Sequence, residues 1–215
     1  MPASIAYFIS SHGFGHAARA AAVMQAIGEQ DPSVQFEIFT AVPSWFFQDS
    51  LSTPFSYHHL LTDFGLAQKT PFESELGDTL RHLNEFYPIS PALLDTVSNT
   101  IRRLECRIIV CDIAPMGLLV AQNVGIPSVL VENFTWDWIY QQYATVNKDI
   151  NKYIDYLKPI FQSADYHIQT EPICSRQSPD LVASPVSRKP RTARDPIRQR
   201  LGLRADANVV LITTG

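Results

Sequence analysis

The chain has 215 residues, of which 46 % are hydrophobic, and a formal net charge of −4 at pH 7. This composition supports a sizeable folded core and argues against an intrinsically disordered protein. No apolar run approaches the length of a membrane span, and residues 1–9 lack the basic segment and long apolar stretch of a secretory signal. We therefore expect no transmembrane segment and no signal peptide.

Three cysteines stand at positions 106, 111 and 174. Their spacing contains no Cys-x-x-Cys pair and no Cys/His pattern typical of a zinc site. We therefore expect a reducing, cytoplasmic compartment and no bound metal.

An apolar strand is predicted over residues 5–9, and apolar residues at helical spacing follow over residues 17–27. The loop between them contains Gly13 and Gly15, which lack a Cβ and therefore allow positive φ and close approach of a ligand. Strand, glycine-bearing turn and helix start together form the usual ligand corner of an open α/β sheet. The free N–H groups of the helix start favour a negatively charged ligand there.

His16 lies at the positive end of that predicted helix, where a cation is disfavoured. A neutral imidazole that faces a cleft is suited to act as a general base. The alternative is an ordinary tight turn in which His12 and His16 are satisfied by local contacts.

Alternating strands and helices continue along the chain and predict an α/β fold, a Rossmann-like, doubly wound and mainly parallel sheet. Asp112 and Asn133 follow the ends of two apolar strands, so we expect them at the same sheet edge as the loop of His12 and His16. An equally good alternative for Asp112 is that it caps the helix that Pro115 begins.

Residues 133–138 combine Asn133, Thr135, Trp136 and Asp137. This mixture suits a carbohydrate, because an aromatic face can meet the sugar ring while polar groups meet its hydroxyls. The alternative is a helix start capped by Thr135 or Asp137, with the tryptophan in the core. Trp45 and its two neighbouring phenylalanines raise the same choice between an acceptor pocket and core packing.

The domain division predicted from the sequence is a Rossmann-like domain over 1–180, a connector over 181–207, and the first strand of a second domain over 208–215. Residues 188–204 hold seven basic residues and one acidic residue, together with two prolines. A nucleic-acid patch is one interpretation, but a solvated connector and short helix fit the prolines better, so no nucleic acid is expected. The apolar strand that finishes at Gly215 predicts that a further domain starts there.

Several motifs, taken together in this order, resemble the N-terminal domain of GT-B glycosyltransferases, and most closely the glycosyltransferase-like N-terminal region of L-arabinokinase-type proteins. The resemblance covers nearly the whole chain. Its motifs are Gly13-Phe14-Gly15-His16, Val110-Cys111-Asp112 with Pro115, Asn133-Phe134-Thr135-Trp136-Asp137 with Tyr140, and the connector before Leu201-Gly202.

The resemblance implies that this half binds a small-molecule or glycan acceptor, while a missing half holds most of the nucleotide-sugar site. It implies that His16 deprotonates an acceptor hydroxyl, with inversion at the sugar carbon and no metal or cofactor besides the nucleotide-sugar co-substrate. Asp112 is the candidate for orienting His16. The candidates for binding substrate or diphosphate are His12, Gly13, Phe14, Gly15, Arg19, Asn133, Thr135, Trp136 and Asp137. Without the donor half, this chain alone is expected to be inactive.

Two other functions fit parts of the sequence. A dinucleotide-dependent oxidoreductase is disfavoured, because Thr40-Ala41 stands where an acidic ribose ligand would end the second strand. A non-catalytic module that binds a sugar or nucleotide for regulation, as in arabinokinase-like fusions, stays open.

Overall fold

A parallel sheet of seven strands forms the centre of the protein in the computed structural model, which describes residues 4–70 and 73–211. A separate short hairpin is formed by the fourth and fifth strands. The strands are β1 (Ser4–Ile9), β2 (Gln35–Thr40), β3 (Phe55–His59), β4 (Gln68–Thr70), β5 (Glu73–Ser74), β6 (Cys106–Asp112), β7 (Ser128–Glu132), β8 (Tyr166–Thr170) and β9 (Leu181–Ala183).

The strand order across the sheet is β3-β2-β1-β6-β7-β8-β9, and every neighbouring pair is parallel. The chain runs outward from β1 to β3 and then returns to place β6 on the other side of β1. The carboxyl ends of β1 and β6 therefore flank the point where the winding direction reverses, which is where open α/β sheets bind ligands. The predicted Rossmann-like, doubly wound fold is confirmed, with an entirely parallel main sheet.

Helices cover both faces of this sheet, and each face has its own apolar core. The first two helices pack on one face, against Tyr7, Ile9 and Ile38. The third to seventh helices supply the core of the other face, around Phe8, Ile109 and Leu130. The helices are α1 (Phe14–Gln30), α2 (Ser44–Ser50), α3 (Leu76–Phe86), α4 (Pro91–Arg103), α5 (Pro115–Val124), α6 (Trp136–Gln141), α7 (Asn151–Gln162) and α8 (Arg194–Arg200).

The residues just before α1 and α4 help to set where these two helices begin. Helix α4 begins at Pro91, directly after Ser90, whose hydroxyl accepts a hydrogen bond from the Leu93 N–H at 3.2 Å. Helix α1 begins three residues earlier than predicted, at Phe14. Gly13 precedes it with a φ of 83°, which its missing Cβ allows, whereas Gly15 is part of the helix.

The basic stretch after β9 lies against the first two helices. Lys189 Nζ is 2.6 Å from Glu29, Arg191 is 3.1 Å from Asp49, and the Arg188 guanidinium stacks over Phe46.

The strand predicted over 208–215 falls partly outside the described residues, since positions 212–215 are not among them. Its described part, residues 208–211, is irregular, with its apolar side chains exposed. Residues 181–183 pair with β8, so the sheet continues three residues beyond the predicted boundary at 180.

Candidate active site

Asp112 ends β6 with its side chain fully buried, directly beside the end of β1. One carboxylate oxygen lies 2.8 Å from Nδ1 of His16, and both oxygens accept hydrogen bonds from Arg19, at 2.6 and 2.8 Å. The alternative role of Asp112, as a cap for α5, is wrong, because Ala114 holds the cap position without a side-chain hydrogen bond. The predicted contact between Asp112 and His16 is present.

Arg19 joins four elements of the fold. From the second turn of α1, it reaches Asp112 on β6, the amide oxygen of Asn133 after β7 at 3.0 Å, and the Thr170 hydroxyl on β8 at 2.8 Å. Four of its five N–H groups are used in these bonds, and the fifth belongs to Nη2, 3.3 Å from His16 Nδ1. Arg19 therefore holds Asp112 in place, and the predicted contact of its guanidinium with a diphosphate is not available in this structure.

His16 is 8 % exposed and lies in the first turn of α1. A charged carboxylate can only accept a hydrogen bond, so Nδ1 carries the proton that faces Asp112. In the neutral form of the ring, this tautomer has its lone pair on Nε2. Among residues 4–70 and 73–211, no hydrogen bond is found at Nε2. The ring edge packs against Phe134, with centroids 5.7 Å apart. The imidazole is therefore held in place through Nδ1, and its Nε2 has no hydrogen bond within the described ranges.

The electrostatics of the cluster favour a charged Asp112. Burial opposes the charge, but the hydrogen bonds from Arg19 and His16 outweigh it and hold the pKa of Asp112 below its ordinary value. Burial also opposes the charge of Arg19, yet Asp112 raises the pKa of the guanidinium above its ordinary value.

The surface above the start of α1 is open. Gly13, Phe14 and Gly15 are exposed, and a Cβ added at either glycine would meet nothing within 4 Å. The Phe14 ring is 49 % exposed and stacks on Phe46, beside a 55 % exposed Trp45. Of the three aromatics at 45–47, Phe46 and Phe47 pack in the core, whereas Trp45 is exposed beside Phe14.

His12 lies next to this corner and contacts Trp136 edge to face, with ring centroids 5.0 Å apart. Burial, and to a lesser extent the nearby His16, lower the pKa of His12. Gly65 makes the contact possible, because a Cβ there would lie 2.5 Å from the Trp136 ring and 2.7 Å from Nδ1 of His12.

Trp136 is 1 % exposed, which places it in the core. Its indole N–H donates to Asp63 at 2.6 Å, so the predicted sugar contact of its face is not available and the core alternative holds. Thr135 precedes α6 without a capping hydrogen bond, and Asp137 is buried beside it.

Two residues of this region were missed by the sequence analysis. Asp63 follows β3 and anchors Trp136, and Thr170 ends β8 and receives Arg19. Both are polar residues at the carboxyl ends of parallel strands, which is the signal that identified Asp112.

Comparison with solved structures identifies the architecture. A UDP-glucosyltransferase from Polygonum tinctorium matches 94 % of this chain with a TM-score of 0.56 at 13 % identity. A UDP-glucose:anthocyanidin 3-O-glucosyltransferase matches 86 % with a TM-score of 0.55 at 10 % identity. The chain has the α/β, Rossmann-like fold of one domain of these GT-B structures. It corresponds to the N-terminal domain of that fold, as the motifs predicted.

The chain covers 56 % and 53 % of those two GT-B structures. Among curated proteins, L-arabinokinase of Arabidopsis thaliana is 26 % identical over 98 % of this chain, which spans 20 % of that protein. No family model matches. None of the helices in the described ranges is long and apolar enough to cross a bilayer.

Proposed function

We propose that this chain is the acceptor-binding half of an inverting, metal-independent GT-B glycosyltransferase. The observation that carries the proposal is the His16–Asp112 contact at the switch point of the sheet, with Nε2 of His16 unused. The relatives in fold include UDP-sugar-dependent enzymes, so we take UDP-glucose as the first donor to test.

In the proposed reaction, Nε2 of His16 accepts the proton of an acceptor hydroxyl, and Asp112 stabilises the imidazolium that forms. The hydroxyl oxygen bonds to the anomeric carbon from the face opposite the leaving group. The bond from that carbon to the diphosphate breaks, and the nucleoside diphosphate departs with the electron pair. The open N-terminus of α1 supplies N–H groups suited to an anion.

The site residues then take separate roles. Gly13 and Gly15 leave room for the reacting groups, and Phe14 with Trp45 gives the acceptor an aromatic surface. Arg19 holds Asp112 and Asn133 holds Arg19, so both are positioning residues. His12 borders the site without contacting the His16–Asp112 pair.

The test is His16→Ala in the full-length natural protein, with His59→Ala as the matched control, because His59 is exposed at the edge strand. We expect His16→Ala to reduce sugar transfer from UDP-glucose by about 10²–10⁴-fold, the usual worth of a general base. UDP-glucose binding, measured by calorimetry, should change little. Unchanged turnover in His16→Ala would exclude His16 as the base.

A second candidate is a non-catalytic module that binds a sugar or nucleotide. It is favoured by the match to a curated relative named as a kinase, of which this chain spans a fifth. Nucleotide-sugar binding with no donor consumption, in wild type and in His16→Ala alike, would support this candidate. A cytoplasmic location is part of either proposal.

A further inference from the structure

Arg19 offsets most of the negative charge that Asp112 presents to His16. Both carboxylate oxygens of Asp112 accept hydrogen bonds from the guanidinium, and Nη2 of Arg19 lies 3.3 Å from Nδ1 of His16. In the proposed reaction, His16 takes up a proton and becomes a cation beside that guanidinium. Two like charges this close in a buried site repel each other strongly. The imidazolium therefore requires a negative charge in addition to that of Asp112.

A second carboxylate, Asp63, lies on the opposite side of the end of β1. The backbone N–H of Ser10 donates to the carbonyl of Asp112 at 3.1 Å, and the Thr62 hydroxyl donates to the carbonyl of Ile9 at 2.9 Å. These two backbone groups belong to one trans peptide, so they point in opposite directions. Asp63 follows Thr62 directly and is buried. The two aspartates therefore flank the start of the glycine loop.

Asp63 has hydrogen-bond donors but no cation bonded to it. The indole N–H of Trp136 donates to Oδ2 at 2.6 Å, and no lysine or arginine of the described ranges forms an ion pair with Asp63. Burial raises the pKa of Asp63, against hydrogen bonding from Ser10 and Trp136 and the charge of His16. Coupling between two ionisable groups is mutual, so a charged Asp63 favours a protonated His16 to the same extent.

The other ionisable groups that face this pair stay neutral. Burial raises the pKa of Tyr87 and Tyr140 well above the ordinary value, so both phenols remain uncharged beside Asp63. Burial, with a smaller effect of the charge of His16, lowers the pKa of His12, which disfavours a second imidazolium at the loop.

Glu132 is another buried carboxyl group at this edge of the sheet, and its charge raises the pKa of Arg19. Its Oε1 accepts a hydrogen bond from the Gln169 amide at 2.7 Å and lies 2.8 Å from Nε2 of His167. Glu132 therefore has polar partners of its own, which leaves Asp63 as the carboxylate for His16.

We propose that Asp63 is the second carboxylate of the site and stabilises the imidazolium that forms at His16 when an acceptor hydroxyl gives up its proton. With His16 protonated, the positive charges of His16 and Arg19 are matched by the negative charges of Asp112 and Asp63. This inference rests on the proposed function. Asp63 touches no reacting atom and is a positioning residue that acts through His16.

The test is NMR of the full chain with isotope-labelled histidine rings and aspartate carboxyl groups. The His16 and Asp63 signals are assigned by their loss in His16→Ala and Asp63→Asn. We expect Asp63→Asn to move the midpoint of the His16 ring titration to lower pH by about one unit, the usual order for a nearby opposite charge. Glu37→Gln is the matched control, because Glu37 is also buried but bonds His58 on the neighbouring strand, and it should leave that midpoint unchanged.

A reciprocal measurement keeps the test decisive if Asp63→Asn does not fold. His16→Ala removes the cation and retains Asp63, so the titration of the Asp63 carboxyl group should move to higher pH by a similar amount. The proposal is overturned if neither midpoint moves, or if Asp63 stays protonated over the pH range in which His16 titrates.

Sugar transfer from UDP-glucose by the full-length natural protein gives the functional readout. In Asp63→Asn, the acidic limb of the pH profile of kcat/KM should move to lower pH, which a loss of stability alone does not cause. The NMR titrations need no turnover, so the two failures are distinguishable. Coupled titrations without any transfer would refute the proposed function and the catalytic role of Asp63 with it. Transfer that His16→Ala abolishes, without coupled titrations, would overturn the role of Asp63 alone.

Discussion

Asp112 and Asp137 are buried aspartates near the carboxyl ends of neighbouring strands, and they differ in their hydrogen bonding. Both oxygens of Asp112 are paired with Arg19 and one also meets His16, whereas Oδ1 of Asp137 has no partner within the described ranges. A buried charge that is fully paired forms a fixed framework. One that is left partly unpaired is costly unless something else supplies the missing donor. Asp112 is therefore a fixed partner of His16 and Arg19, whereas Asp137 has an unmet hydrogen-bonding capacity inside the fold.

The pKa directions express the same difference. Despite burial, Arg19 and His16 keep the pKa of Asp112 below its ordinary value, whereas burial raises that of Asp137. Both carboxyl groups are buried, so the paired Arg19 cation accounts for the opposite direction of the pKa shift at Asp112.

The largest expected effect comes from removing the paired carboxylate. Asp112→Ala leaves Arg19 as an uncompensated buried cation, and we expect it to lower the free energy of unfolding by about 3–5 kcal/mol. Urea denaturation followed by circular dichroism measures this loss.

A double variant separates the charge from the packing. Asp112→Leu combined with Arg19→Met replaces the pair with apolar side chains and should recover much of the loss, since a buried ion pair is often no more stable than its apolar replacement. A loss below about 1 kcal/mol for Asp112→Ala would mean that Arg19 finds another partner or water, and that the pair is not a framework.

A third buried aspartate, Asp63, is intermediate between the other two because it has hydrogen-bond donors but no paired cation in the described part of the chain. Asp63 accepts the Trp136 indole N–H, and burial raises its pKa against hydrogen bonds from Ser10 and Trp136. Trp136→Phe removes that donor and should cost about 1–3 kcal/mol of unfolding free energy. The same denaturation series checks it. If Trp136→Phe costs as much in an Asp63→Leu background, the loss is packing alone and the hydrogen bond contributes nothing.

The polar edge of the sheet could be predicted from sequence, because parallel strands bring their carboxyl ends together whatever their exact register. Apolar runs ending at Asp112 and before Asn133 were enough to place both near His16. The strand-loop-helix corner followed from local spacing in the same way.

The direction of individual side chains could not be predicted. Trp136 was expected at a sugar and lies in the core. Asp63 and Gly65, more than 70 positions away in the chain, provide an acceptor for its indole N–H and the space for its ring. The hydrogen bonds of Arg19 could not be predicted for the same reason, since its partners Asp112, Asn133 and Thr170 lie at three separate strand ends. The direction of a side chain depends on such tertiary contacts, which a local sequence pattern does not contain.

A smaller effect on the free energy of unfolding is expected from a change of pH, and its sign is opposite for Asp112 and Asp137. The pKa of Asp112 is depressed in the fold, so its contribution to stability is present above about pH 4, the unfolded pKa, and is lost as the pH falls through the folded value. The pKa of Asp137 is raised, so its contribution is present below about pH 4 and is lost as the pH rises through the folded value.

Urea denaturation of Asp112→Asn and Asp137→Asn at a series of pH values tests these signs. Relative to each variant, the wild type should gain stability with rising pH in the first case and lose it in the second. Parallel slopes for the two variants would show that the unpaired oxygen of Asp137 does not distinguish it from Asp112.

The smallest effect is expected where charges are paired at the surface. Arg191 lies 3.1 Å from Asp49, but both side chains are 65 % exposed. Water screens such a pair and ordering the side chains costs entropy, so Arg191→Ala should leave the midpoint of urea denaturation unchanged within error, and added salt should not alter that result. A loss approaching that of Asp112→Ala would mean that the connector is bound to α1 and α2 by charge. The distinction between a buried framework and a solvated surface pair would then fail in this protein.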